Sequence, residues 1–166
     1  MFDRAVVDSA TFARESGRLS GTVAIASLAR LHDMLFDRSG DVVYTLTGFV
    51  NHEGKPCLRL TVRGDVILPC QHCLGPVRLH LDSARNFVLV PAGEPLSDPA
   101  DEAESVEQLY ADPRLDVVTL VEDEVILSLP MVVGHEERVC QPLVSDGATT
   151  GKHGSPFSVL ASLRRR

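Results

Sequence analysis

Apolar and polar residues alternate through the middle of the chain. Leu58, Leu60, Val62, Val66 and Leu68 share one parity, set against Arg59, Thr61, Arg63, Asp65 and Ile67. A period of two with one apolar side predicts an antiparallel strand with its other face wet. Val42–Val50 is rich in β-branched and aromatic residues and predicts the strand before it. Asn51–Lys55 reads as the turn between them, with Gly54 free to take positive φ. After a second turn, Val77, Leu79 and Leu81 lead back, and Asn86–Val90 extends that run, so the centre is a meander of about three long strands. Shorter strand signals lie at Arg4–Val7, Leu19–Val23 and Arg114–Val118.

Four stretches carry helical signals. Asp8 can cap a helix over Ser9–Glu15 that Gly17 stops. Leu28, Leu31 and Leu35 fall at helical spacing within Ser27–Leu35. Thr119–Leu129 forms a third, ending before Pro130, with Leu120, Val121, Glu124, Leu127 and Ser128 on one side. The acidic triplet Glu122, Asp123 and Glu124 is expected in its first turns, where the helix dipole favours negative charge. Ser155 and Pro156 open a last helix with an apolar stripe of Phe157, Leu160 and Leu163. The expected fold is α+β: a mainly antiparallel sheet of five to seven strands, which could curl towards a barrel, with about four short helices. Residues 1–140 form one domain carrying an acidic loop over 91–113. A Gly-, Ser- and Thr-rich linker over 141–155 leads to the amphipathic helix at 156–166.

Charge narrows the functional classes. The 166 residues carry a net charge of −7, which argues against nucleic-acid binding through the overall field. The distribution is uneven, however. Residues Glu94 to Glu124 hold eleven acidic side chains and only Arg114 as a base. Lys55, Arg59, Arg63, Arg78 and Arg85 outnumber Asp65 and Asp82 along the central strands. Arg59, Arg63, Arg78 and His80 fall on the non-core parity and make a candidate basic face. No apolar run approaches the roughly 20 residues of a membrane span, and Met1-Phe2-Asp3-Arg4 lacks a signal-peptide plan. The expectation is a cytoplasmic protein with reduced cysteines.

The second turn carries the candidate chemistry. Cys70-Gln71-His72-Cys73 sits between Pro69 and Gly75-Pro76. Two thiolates at this spacing can face one ion from a single turn. The other half of a closed site would come from His135 and Cys140, giving Cys70, Cys73, His135 and Cys140 as a structural zinc set. Simple reduced side chains in turns are the alternative. Cys57, inside a strand, is expected to be a small buried residue. A thiol oxidoreductase using Cys70 and Cys73 is the enzymatic alternative. It needs a depressed thiol pKa, normally supplied by a helix N-terminus, and a hairpin is predicted there. The six histidines are scattered singly and supply no visible acid–base pair for a ribonuclease.

Three segments resemble, in order, the YceD family of large ribosomal RNA subunit accumulation proteins. The Cys70-Gln71-His72-Cys73 turn with Pro76 is similar to the family's cysteine motif. Val121-Glu122-Asp123-Glu124-Val125-Ile126-Leu127-Ser128-Leu129-Pro130 is similar to its most characteristic helix. Pro156-Phe157-Ser158-Val159-Leu160-Ala161-Ser162-Leu163-Arg164 is similar to the C-terminal helix of proteobacterial members. The resemblance implies a non-enzymatic role in accumulation of 23S ribosomal RNA and biogenesis of the large subunit, with no small-molecule substrate and no membrane. Its implied partner is that RNA, or a basic ribosomal protein on the pre-ribosomal particle. Direct contact would use Arg59, Arg63, Arg78 and Arg85, with phosphate contacts weakening as salt rises. Some relatives have more cysteines in the segment equivalent to Pro130–Cys140, where this chain has only His135 and Cys140.

Overall fold

The computed structural model of the chain describes residues 5–96, 106–135 and 140. A five-stranded sheet organises it. Its strands are β2 (Arg18–Ala24), β3 (Asp41–Val50), β4 (Pro56–Pro69), β5 (Pro76–Val90) and β6 (Val106–Tyr110), in the spatial order β2-β3-β4-β5-β6. The first four pair as an antiparallel meander, with Leu60 between Leu46 and Arg85. The turn between β3 and β4 closes as expected, with Gly54 at φ +78° and the Asn51 side chain accepting from the amides of Glu53 and Lys55.

One face of the sheet is covered. Leu58, Leu60, Val62, Val66 and Leu68 of β4 are buried, beside Val42, Tyr44 and Leu46 of β3. Helix α1 (Ser9–Arg14) lies over β3 and β4, and helix α2 (Val117–Ser128) over β4 and β5. Asp8 caps α1 by accepting from the Thr11 amide at 2.8 Å, as its sequence signal predicts. The two-residue strands β1 (Val6–Val7) and β7 (Leu115–Asp116) pair beside the sheet and tie the start of the chain to the start of α2. The opposite face of the sheet stays wet and carries Arg59 and Arg63.

The structure corrects several expectations. The sheet is open, so there is no barrel, and it is mixed rather than wholly antiparallel. Strand β6 pairs parallel to β5, from Asn86↔Val106 to Val90↔Tyr110, inside the stretch expected to be an acidic loop over 91–113. The long connection from β5 provides the crossover length that parallel pairing needs. Three of the four expected helices fall on described residues, and two of those form as α-helices.

Ser27–Leu35 is not a helix. Leu28 and Leu31 are buried, but through single 3₁₀ turns at Ile25–Ser27 and Ala29–Leu31. The Glu122 carboxylate accepts from the Arg30 amide at 2.8 Å, and the Ser27 hydroxyl donates to the Ala24 carbonyl. These side-chain bonds compete with helical pairing. Helix α2 begins two residues earlier than expected, because Asp116 caps it. Leu127, expected on the packed side, is exposed, while Val117 and Val125 are buried. The linker over 141–155 and the helix over 156–166 lie outside the described residues.

Candidate metal centre

The β4–β5 hairpin tightens into a knuckle at its tip. Paired Pro69 and Pro76 end the ladder. The Cys70 amide then donates to the Gly75 carbonyl at 2.8 Å, and the Leu74 amide to the Cys70 carbonyl at 2.9 Å. This small ring points the Cys70 and Cys73 thiols inward, so both are buried. The segment after α2 runs alongside. The Gln71 amide donates to the Val133 carbonyl at 2.9 Å and its side-chain amide to the Met131 carbonyl at 3.0 Å.

That strap brings the second half of the site into place. One ligand atom from each of Cys70, Cys73, His135 and Cys140 lies within 4.8 Å of every other. Cys70 and Cys140 Sγ are 3.7 Å apart, and Cys73 Sγ is 3.3 Å from His135 Nδ1. A tetrahedral zinc with bonds of about 2.3 Å to sulfur requires sulfur pairs about 3.8 Å apart. The Cys70–Cys140 separation matches that edge and far exceeds a disulfide bond. His135 is oriented for the task. Its Nε2 is 2.9 Å from the Pro76 carbonyl, which can only accept, so the proton sits on Nε2 and the Nδ1 lone pair faces the sulfurs.

Electrostatics at the knuckle separates the thiols. Backbone amides of Cys73, His72 and His135 bring the Cys70 thiol down to about 5. The His72 amide is 3.4 Å from that sulfur. Burial, followed by the neighbouring Cys70 and Cys73 sulfurs, pushes Cys140 up to about 11. Three converging thiols repel one another as anions, and a dication relieves that repulsion. His72 was not anticipated from sequence as part of this group. Its Nδ1 is 3.2 Å from Cys140 Sγ. Cys57 stands apart, buried in β4 with its thiol pushed up by burial.

The thiol oxidoreductase alternative has a lowered Cys70 thiol, but turn amides rather than a helix N-terminus lower it. Cys70 and Cys73 lie in a hairpin turn, and both are buried.

The four arginines separate. Arg59 and Arg78 are exposed on the wet face and form no ion pair with a described residue. Arg63 is also on that face, 2.9 Å from Asp82, and His80 is 3.0 Å from Asp65. Arg85 has the opposite parity and faces the covered side. It pairs with Glu107 and, at 2.7 Å, with Glu124. The acidic triplet also proves to be something other than helix-end charge, since it begins beyond the first turn of α2. Glu122 and Asp123 clamp Arg30, while Glu124 turns inward, so the three neither converge on an ion nor need the dipole.

An α+β chain whose central hairpin and post-helix strap converge on a Cys3His group is thus one kind of molecule, whatever its name. Residues 58–164 match the sequence model of the family described as "Large ribosomal RNA subunit accumulation protein YceD". That is more than half of the chain, and the chain belongs to this family. It is also similar to the large ribosomal RNA subunit accumulation protein YceD of Haemophilus influenzae. The two are 27% identical over 159 residues, covering 88% of this chain and 87% of the relative. No solved structure matches it. Among the described residues no helix is long and apolar enough to cross a membrane.

Proposed function

We propose that this chain is a non-enzymatic factor for accumulation of 23S ribosomal RNA in the cytoplasm, acting in biogenesis of the large ribosomal subunit. The observation that carries the reading is membership of a family named for that role, supported by a relative of the same name aligned over most of both chains. In a strain depleted of the protein, the ratio of 23S to 16S RNA should fall at unchanged transcription of the operon. An unaltered ratio would remove the reading.

Within this function, the Cys3His group serves as a structural zinc site. Cys70, Cys73, His135 and Cys140 would hold the ion, clamping the hairpin tip to the segment after α2. All four positions are filled by protein, which is the pattern of a structural rather than a catalytic site. Purified protein should contain close to one zinc per chain, lost in Cys70→Ser.

Contact with the pre-ribosomal particle runs through the wet sheet face to RNA phosphate, with Arg59 and Arg78 as the available charges and Arg63 shared with Asp82. Arg85, held by Glu107 and Glu124, is left out. Arg59→Glu combined with Arg78→Glu should weaken particle association and flatten its dependence on salt. If association persists unchanged, a basic ribosomal protein drawn to the chain's net charge of −7 becomes the partner.

A further inference from the structure

The knuckle end of the molecule leaves large apolar side chains in water. Met131 is 94% exposed, Val132 73%, Leu127 64% and Leu74 60%. Leu127 lies on the last turn of α2, and Met131 and Val132 follow directly. The two Gln71 hydrogen bonds hold the Met131–Val133 backbone against the turn that carries Leu74. The patch therefore belongs to one fixed end of the fold.

Leu74 adds an independent sign. Its φ is +59°, a left-handed conformation that bulky residues rarely adopt. The next residue, Gly75, could carry such a conformation without strain. A branched apolar side chain is held there and left in solvent, so burial in the core does not account for the conformation.

This chain also carries the complementary surface. Phe157, Leu160 and Leu163 fall at helical spacing within Ser155–Arg164, so a helix there would present an apolar stripe. Cys140 lies at the knuckle, so the intervening residues 141–154 start beside the patch. Fourteen residues rich in Gly, Ser and Thr reach about 20 Å as a flexible chain. A tether of that kind sets an effective concentration on the order of millimolar. A weak contact of about 0.1 mM intrinsic affinity would then be closed about ten to one. A partner in trans would need a far higher concentration to compete.

We propose that the C-terminal segment Ser155–Arg164 docks as an amphipathic helix on the apolar end formed by Leu74, Leu127, Met131 and Val132. Phe157, Leu160 and Leu163 meet those side chains, and the terminal arginines stay in solvent. This inference is independent of the role in ribosomal RNA accumulation. Its test is made on the isolated protein.

Methionine methyl groups give the readout. The chain has three methionines, and Met34 and Met1 serve as internal controls for Met131. In full-length protein with labelled methionine methyls, Leu160→Asp should move the Met131 signal to the position of a solvated side chain and leave Met34 in place. Phe157→Asp should do the same, which guards against an idiosyncratic variant. Reciprocally, Met131→Asp should raise hydrogen exchange across 156–164 by at least about fivefold. An unmoved Met131 signal in both tail variants would overturn the proposal. So would a Met131 shift that depends on protein concentration, which would place a second copy on the patch.

Discussion

Glu124 is 1% exposed, yet it pairs with Arg85 inside the core. Arg85 donates to one of its oxygens at 2.7 Å, and Ser83 and Ser128 supply the other. A buried carboxylate stands only while such donors surround it. Glu124→Ala should cost about 1–3 kcal/mol, because it removes one of the two carboxylates that hold Arg85 and leaves the Ser83 hydroxyl without its acceptor. Glu124→Gln, still able to accept from Arg85 and Ser83, should cost less. Urea unfolding of the pair would settle the ranking, and equal losses would mean that packing, not charge, is what matters. The sequence places Glu124 on the apolar side of its helix, which is correct. It could not supply the partner, 39 residues away on β5. Sequence alone therefore presents Arg85 as a free basic residue, whereas register turns it inward. Gly48 is similarly silent in sequence. A methyl group there would collide with the Phe12 carbonyl and stand 2.6 Å from Ala13 Cα, so α1 could not seat on β3. Gly48→Ala should cost about 1–3 kcal/mol by the same unfolding measurement, since backbone rather than a flexible side chain must yield.

At the scale of elements, the long strands were legible because alternation over β4 is dictated by one dry face and one wet face. Short elements depended on contacts that sequence order hides. Strand β6 is only five residues long and lies in an acidic stretch, and its partner β5 supplies the register. The turns around Leu28 and Leu31 have helical spacing but lose their backbone pairing to carboxylate and hydroxyl groups. Helix α2 shows the opposite case, a local signal with a local outcome. Asp116 accepts from the amides of Val118 and Thr119 at 3.0 and 3.2 Å, and it also belongs to β7, paired with Val6. One residue thus ends the small sheet and starts the helix that covers the large one. Asp116→Ala should lower stability by about 1 kcal/mol through the lost cap. Asp116→Asn, which caps as well, should recover most of it. If Asn fails to rescue, the charge rather than the cap is the reason Asp stands there.

Across the whole molecule, the main apolar core and the cysteine knuckle are separate sources of order. The core joins β2–β5 to both helices through side chains such as Leu31, Leu46, Leu60 and Val121, all fully buried. The knuckle lies at the hairpin tip and, among the described residues, secures only Met131–His135 and Cys140. The cysteine pair was legible as half a site, and His135 with Cys140 completed it by spacing. The strap's path along Gln71 and the contact of His72 with Cys140 needed three dimensions. This division fixes what metal removal should do. A chelator, or Cys70→Ser, should leave the strand and helix signal in circular dichroism close to its starting level. It should sharply raise hydrogen exchange at the Gln71 and Leu74 amides, while those of β3 and the centre of β4 stay protected. The expected order follows from where the bonds lie. Freed of an ion, the Cys70 thiolate and the Cys140 thiol, which is pushed up to about 11, are no longer joined through a metal, so the strap lifts and the Gln71–Val133 bond opens without exposing Leu46 or Leu60. Global unfolding on chelation would instead make the ion part of the folding free energy of the entire chain, as in domains too small to hold a core. The extent of this core predicts the local outcome.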